Sequence, residues 1–512
     1  MIQHSFPTRR SSDLPATIRE GKVRRILSRN HPEIDRGWLC DKGRYSYPHL
    51  RAEDRITTPL RRGKKGLEAI SWDAALDEAE TILRESAGSI VTAFSGSETT
   101  EIAYALGRLL RGGLEAHSAV LPEATSDVLG AFRLSLSAIA KAEIVVVVGD
   151  DPVVERAPIV ELWIKEARRR GAEIVVYSPT GTEKTAPGTG AEVCRELASG
   201  RSRVAKKLGR ANRAVLVWSG PGGGGGARIA ELAHELQLAD KPGSGAFHLP
   251  AAANPHGVAL GWAVSADADE RNPEPIELLV VSGDEAASNP DVRVLAEDAK
   301  RVIVLTMFHE LAAGWADLIL PSTGALERDG TSMNLEGRVQ RVRRAVLPPC
   351  PDELAWISKL AARFDVEVPP HAMGVFAELS EHVFRDLTIE DIGLHAPLPA
   401  RHAYVAPDPA TTPAPIETGD ALRLHRYRPL FSGPAVERVP ELGFQRPQRA
   451  VELSPADAES LGIANGDQVV VRSNGTSVEL HARVNRRLVE GVARVAEEHA
   501  GELHPAVEVE KA

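Results

Sequence analysis

From about Ser71 to Leu320 the chain repeats one grammar: a short run of Val, Ile and Leu, a turn of small residues, then an amphipathic stretch. The fullest unit reads Ile144-Val145-Val146-Val147-Val148, turns at Gly149-Asp150-Asp151-Pro152, and continues as a helix from near Pro158 to Arg170. Gly171 ends that helix, and Ile174-Val175-Val176-Tyr177 begins the next strand. Ile90-Val91-Thr92, Ala214-Val215-Leu216-Val217-Trp218, Leu278-Leu279-Val280-Val281 and Val302-Ile303-Val304-Leu305 are further strands of the same kind. A strand that is apolar at every position must be buried on both faces, so these are central strands of parallel sheets covered by helices. The fold class is therefore α/β.

Beyond this region the grammar changes. A proline-rich stretch from about Pro397 to Pro440 reads as a linker or wrapping segment. Ala450 to Leu453 then forms a strand, Ser454-Pro455 caps a short helix to Leu461, and Gly462 stops it. Asn465-Gly466 and Asn474-Gly475 are turn dipeptides, the second separating Gln468 to Arg472 from an alternating strand with Val478, Leu480, Ala482 and Val484. This is the pattern of a small β-barrel. At 512 residues the chain exceeds one ordinary core, and about three domains are expected.

The formal charge of -10 argues against a nucleic-acid partner. The first 65 residues are basic, which suits an acidic or phosphate-bearing neighbour and a plain solvated face equally. No run of about 18 apolar residues occurs, so no direct membrane insertion is expected. Three scattered cysteines make no disulfide framework and favour a reducing compartment. Residues His4 to Leu14 match the translation of a synthetic sequencing adapter, so residues 1–14 are read as an artefact and the native N-terminus as missing. Arg9-Arg10 is not read as an export signal, because no apolar segment follows it.

Several motifs bear on chemistry. Gly220-Pro221-Gly222-Gly223-Gly224-Gly225-Gly226 stands between a strand and a helix, where a phosphate loop would sit, but lacks the Gly-Lys-Ser/Thr of one. It reads as a floppy surface turn. Gly149-Asp150-Asp151-Pro152 and Ser282-Gly283-Asp284 lie at the carboxyl ends of strands, where open α/β sheets bind ligands. Glu327-Arg328-Asp329-Gly330-Thr331 and Asn334-Leu335-Glu336-Gly337-Arg338-Val339-Gln340 are denser in polar groups than a connector requires; a salt-bridged loop tying two domains together is the plain alternative. The sixteen histidines show no zinc spacing, His117 and His309 read as surface or hydrogen-bonded positions, and Cys194 has no base beside it. Cys40, in Gly37-Trp38-Leu39-Cys40-Asp41-Lys42-Gly43-Arg44, stands more than a hundred residues from Cys194 and Cys350, so the three draw no cage for a metal.

Taken together, Gly37 to Arg44, Ile70-Ser71-Trp72-Asp73, Ala316-Asp317-Leu318-Ile319-Leu320-Pro321 with the two polar motifs after it, and the terminal barrel resemble the molybdopterin oxidoreductase family. Within the family the chain is similar to the branch that forms the G subunit of NADH:quinone oxidoreductase, respiratory complex I. The resemblance implies residues 15–60 as the remnant of a [4Fe-4S] domain and 61–400 as two interleaved α/β domains, with about 135–320 forming the inserted one. It further implies a linker at 401–445 and a barrel resembling a dinucleotide-binding domain at 446–512. Cys40 would be the fourth ligand of a [4Fe-4S] cluster, with the other three upstream of the present start. Lys42 matches a lysine between cluster and pterin, and Gly149, Asp150, Glu336, Gly337, Arg338 and Gln340 fall where relatives approach molybdopterin guanine dinucleotide.

Two departures bear on that cofactor. Catalytic relatives supply a Cys, selenocysteine, Ser or Asp to the metal in the region of His117 to Thr125, which here contains no thiol; Ser118 is the remaining candidate. Relatives also place an acidic residue and a proline after the strand equivalent to Ile174 to Tyr177, where this chain has Ser178-Pro179. The expectation is a non-catalytic, N-terminally truncated scaffold that has lost the pterin, belongs with the other peripheral-arm subunits of complex I, and lies on the cytoplasmic side of the membrane. A catalytic molybdenum or tungsten oxidoreductase such as a formate dehydrogenase is the first alternative, and a nucleotide-binding or docking module the second.

Overall fold

The computed structural model describes residues 16–28, 30–116, 118–121, 127–221, 224–266, 275–384, 387–393, 396–406 and 421–512. The adapter-like start, His117, Pro122 to Thr125, Gly222, Gly223 and the middle of the expected linker thus lie outside the described residues. The chain divides into two compact units, one drawing on Met1–His31, Asp35–Ser126 and Ala252–Leu398, the other on Pro32–Ile34, Asp127–Ala251 and Pro399–Ala512.

In the first unit the apolar runs form a seven-stranded sheet in the order Gly66–Ala69, Leu60–Gly63, Leu318–Pro321, Arg301–Thr306, Leu278–Ser282, Ile90–Phe94, Ser118–Val120. The last five strands run parallel, and Leu60–Gly63 joins the edge antiparallel. Every residue of Ile90–Phe94 and of Leu278–Ser282 is buried, as continuous apolar strands require. Helices cover both faces. On one, Phe94 meets the fully buried Trp262 edge-on at 5.4 Å between ring centres. Burying an aliphatic or aromatic side chain of this kind contributes roughly 1.5–3 kcal/mol. The helix Trp72–Glu85 starts where the sequence places it, its Ser71 hydroxyl accepting the Ala74 amide at 3.2 Å.

The second unit holds an all-parallel sheet in the order Gly245–Leu249, Ala214–Ser219, Ile144–Val148, Glu173–Ser178, Glu183–Lys184. It also holds a closed six-stranded barrel of Leu422–Tyr427, Val492–Ala496, Ala450–Leu453, Thr476–Val484, Gln468–Ser473 and Ala506–Lys511. Asn474 and Gly475 both take positive φ, 40° and 84°, which is what a two-residue hairpin turn demands.

Two sequence-based boundaries differ from the structure. The inserted unit ends at Ala251, not near residue 320, because Leu278–Ser282 and Arg301–Thr306 return to the first sheet. An apolar run identifies a buried strand but carries no label for the sheet it joins. The expected linker contains the barrel strand Leu422–Tyr427, whose Arg423, His425 and Arg426 masked it among the prolines.

The end of the glycine run that meets the helix, Gly224 and Gly225, is held in place. Gly224 is left-handed at φ +77°, and a Cβ on Gly225 would stand 2.2 Å from Nε1 of the Trp218 indole. The indole and the helix start press together at this point, so a side chain has no room.

Candidate functional site

In the second unit, Glu173–Ser178 lies on one side of Ile144–Val148 and Ala214–Ser219 on the other. The sheet therefore reverses its winding at the carboxyl ends of these strands, the place where open α/β sheets leave a crevice. Gly149 (φ +131°) and Gly220 (φ +142°) sit there. A Cβ on Gly149 would lie 2.2 Å from the Ser219 carbonyl oxygen, and one on Gly220 would lie 2.7 Å from the Asp150 amide nitrogen. The two glycines let the loops touch backbone to backbone.

Beside them Asp150 accepts the Gly188 amide at 2.9 Å, and burial pushes its carboxyl above the usual range. Asp151 behaves oppositely. Burial pushes it up, but the His425 imidazole and the Arg156 guanidinium outweigh that and hold it below its ordinary value. Arg156 donates from Nε and Nη2, each 2.8 Å from Asp151 Oδ2, and both side chains are buried. His425 Nε2, from the barrel strand, stands 3.6 Å from Asp151 Oδ1. Among the described residues neither ring nitrogen of His425 has a hydrogen-bond partner, and Asp151 Oδ1 has none.

In the first unit a second polar assembly surrounds the start of the helix Thr100–Gly107. Thr99 caps it, accepting the Ile102 amide at 3.3 Å. Glu98 accepts from the Ser95 amide (3.1 Å) and hydroxyl (2.9 Å) and from the Ser97 amide (3.1 Å). Glu101 accepts the Thr331 amide and hydroxyl, both at 2.7 Å, and burial pushes its carboxyl up to about 7 against the opposing effect of those bonds. Asn254 donates to the Glu98 carbonyl and accepts the Met333 amide, each at 2.8 Å. The hairpin Gly330–Met333/Val339–Val342 is thereby fastened to the helix start along one strand.

The turn of that hairpin contains three of the residues carried over from the family, Glu336, Gly337 and Arg338, and the second strand contains a fourth, Gln340. The Asn334 side-chain oxygen accepts the amides of Glu336 (2.9 Å) and Arg338 (3.0 Å), and Gly337 supplies φ +77°. Glu336 and Arg338 form a buried ion pair at 2.8 Å. Gln340 lies opposite Ser332 in the register, and both are buried with an atom, Nε2 and Oγ respectively, that has no hydrogen-bond partner among the described residues. The Glu327 motif is held within the same unit: Arg55 bonds both Glu327 carboxylate oxygens, at 3.2 and 2.5 Å, and Arg344 pairs with Asp329 and Asp352.

Cys40 is half-buried at the start of the short helix Asp41–Tyr45, its sulfur accepting the Gly43 amide at 3.3 Å; Lys42 lies in the same helix. Cys194 and Cys350 are buried, and burial pushes both thiols up to about 12. Among the described residues no group of three or more His, Cys, Asp or Glu is placed to hold a metal ion. An iron–sulfur cluster, which needs about four thiolates, does not fit the residues present. Of the residues expected near the dinucleotide, Gly149 packs against the Ser219 carbonyl, Asp150 accepts the Gly188 amide, Glu336 and Arg338 pair with each other, and Gln340 keeps a buried Nε2 donor with no hydrogen-bond partner among the described residues. Ser178, in the place of the acidic residue, is buried and turned into its own loop, accepting the Thr180 amide at 3.3 Å. The Ser118 hydroxyl is buried at the sheet edge with no hydrogen-bond partner among the described residues. His309 is exposed on a short helix. No helix among the described residues is long and apolar enough to cross a membrane.

Sequence reasoning did not single out Glu101, Arg156 or His425. His425 sits in Leu-His-Arg-Tyr, where a histidine among arginines looks like a solvated strand face. Glu101 follows Glu98 by three residues at a helix start, a spacing that also serves plain capping. The one available signal for Arg156 was Asp151 five residues before it.

The molybdopterin oxidoreductase profile matches residues 55–353, and the molydopterin dinucleotide binding domain profile matches 430–509. The NADH-quinone oxidoreductase G subunit of Streptomyces coelicolor is 28% identical, over 91% of this chain and 64% of the relative. Its counterpart in Mycobacterium bovis is 26% identical over the same shares. The chain thus spans 64% of the length of these relatives. The F420-dependent formate dehydrogenase 2 subunit alpha of Methanococcus maripaludis is 23% identical, over 93% of this chain and 91% of the relative. In fold, the chain resembles the acetylene hydratase of Pelobacter acetylenicus, with a TM-score of 0.67 and 16% identity over 96% of this chain and 92% of that one. With a family profile matching more than half of its length, the chain belongs to the molybdopterin oxidoreductase family.

Proposed function

We propose that this chain is part of a G subunit of NADH:quinone oxidoreductase, a peripheral component on the cytoplasmic side of the membrane that associates with the other peripheral-arm subunits of complex I. In this reading the pterin-enzyme fold is a scaffold without bound pterin. Cys40 would serve as one ligand of a [4Fe-4S] cluster in that subunit. The placement of the thiols carries the reading: Cys194 and Cys350 are buried, and among the described residues neither belongs to a group of three or more His, Cys, Asp or Glu placed to hold a metal ion. Ser178 in place of the nucleotide-reading acid, and the two complex I relatives, support it further.

One observation favours a second reading, a catalytic formate dehydrogenase-like oxidoreductase. The formate dehydrogenase relative is covered over 91% of its length, against 64% for the complex I relatives. Tagging the gene product in its own host and purifying it under native conditions separates the two. Co-elution with NADH-dependent quinone reduction supports the complex I reading. Co-elution with formate-dependent dye reduction, and none with NADH, refutes it.

A further inference from the structure

Glu101 is a buried carboxyl with no cation bonded to it among the described residues, and it holds a separate element of the fold. Both oxygens take hydrogens from Thr331 in the first strand of the hairpin Gly330–Met333/Val339–Val342. Gly330 allows the approach, since a Cβ there would stand 2.6 Å from Glu101 Oε2. The other end of the same strand hangs on Asn254 through the Met333 amide. The hairpin turn then carries Glu336, Gly337 and Arg338, with Gln340 following on the second strand. Glu101 and Asn254 are thus the two pegs of a polar hairpin.

We propose that Glu101 is a proton-linked latch: protonated, it keeps the hairpin closed on the helix Thr100–Gly107, and as it ionises the hairpin opens more readily. The inference is independent of the functional reading above. Opening the hairpin admits water to Glu101, where its carboxyl returns to ordinary acidity; closing it buries the group again. The closed form therefore binds the proton more tightly than the open form, and a rising pH drives opening.

Other charged groups near the helix have their own partners. Glu98 is held by Ser95 and Ser97, Arg108 and Glu378 by the Tyr104 hydroxyl, and Arg111 by the carbonyls of Trp262 and Ala263. Glu353, on a helix packed against this one, is taken by Thr323. Arg341, opposite Thr331 in the register, is influenced by burial, Arg343, Asp329 and Glu390. His256 is the titratable group of the helix Pro255–Ala263.

Hydrogen exchange read by mass spectrometry on peptides spanning 330–342 of the full chain tests the latch. Measured at about pH 6 and about pH 8 and corrected for intrinsic exchange, protection is expected to fall about tenfold, as a carboxyl near 7 when closed and near 4.5 when open requires. Glu101→Gln should remove that fall while peptides from the barrel stay unchanged. If Glu101→Gln does not fold, Thr331→Val serves, because losing one hydroxyl donor shifts the fall to higher pH. Protection independent of pH in the wild type, or a slope that Glu101→Gln retains or Thr331→Val leaves in place, overturns the proposal.

Discussion

His425 and Asp151 face each other across 3.6 Å with both side chains buried, the histidine on a barrel strand and the aspartate just past the end of a central strand of the α/β sheet. Asp151 also holds Arg156, so one carboxylate answers two basic groups. Such a pair adds little net stability when intact, because desolvation offsets attraction, but breaking it leaves a buried charge without compensation.

Arg156→Met is therefore expected to destabilise the second unit by about 3–5 kcal/mol, and Asp151→Asn combined with Arg156→Met to recover much of that loss. Urea unfolding, followed by exchange in peptides of the 144–148 and 214–219 strands, measures both. Equal losses in single and double variants would show that the pair does not act as a unit.

Asp151 and Glu101 should respond to acid with opposite signs. Asp151 is held below its ordinary value, so its contribution is present above the usual carboxylate pKa and is lost as pH falls through its lowered one. Glu101 is raised to about 7, so its folded form binds more protons than the unfolded chain and stability falls as pH rises from about 4.5 to about 7. The expected loss for the first unit is on the order of 3 kcal/mol, absent in Glu101→Gln. Urea midpoints of the first unit at several pH values decide it; a rise in stability over that range contradicts the assignment.

Gly149→Ala is expected to cost about 3 kcal/mol or more, since the new methyl would lie 2.2 Å from a backbone oxygen at φ +131°. Gly171→Ala, with nothing within 4 Å of its Cβ position, carries the positive-φ penalty alone, of about 1 kcal/mol. Thermal unfolding of both variants checks the difference, and equal losses would contradict it.

Most of the architecture was legible because burial on both faces leaves a mark that no other setting does. Ile144–Val148 and Leu278–Ser282 could only be central strands. The Asn474-Gly475 turn and the Ser454 cap were equally plain, since each answers a local backbone demand. What sequence did not carry was partnership at long range. Nothing near Thr331 announces that Glu101 will accept its amide, and nothing near His425 announces Asp151, because both pairings are made by the fold. Glu336 and Arg338 stand two residues apart across a turn and pair with each other, a partnership that their spacing alone does not announce.

Native thiol labelling should find one accessible cysteine. Cys40 is half-buried beside Lys42 and Arg44, whereas Cys194 and Cys350 are buried with their thiols pushed up to about 12. Iodoacetamide at neutral pH is expected to modify Cys40 first, by at least about tenfold over the others. Comparable rates at all three, read by peptide mass spectrometry, would contradict the buried placement.

The scaffold reading stands or falls on metal content. The full chain, produced in a host that makes molybdopterin guanine dinucleotide, should be purified natively and assayed for molybdenum, tungsten and released pterin. The account predicts far less than one metal atom or pterin per chain. A stoichiometric molybdenum or tungsten atom with its pterin would contradict it.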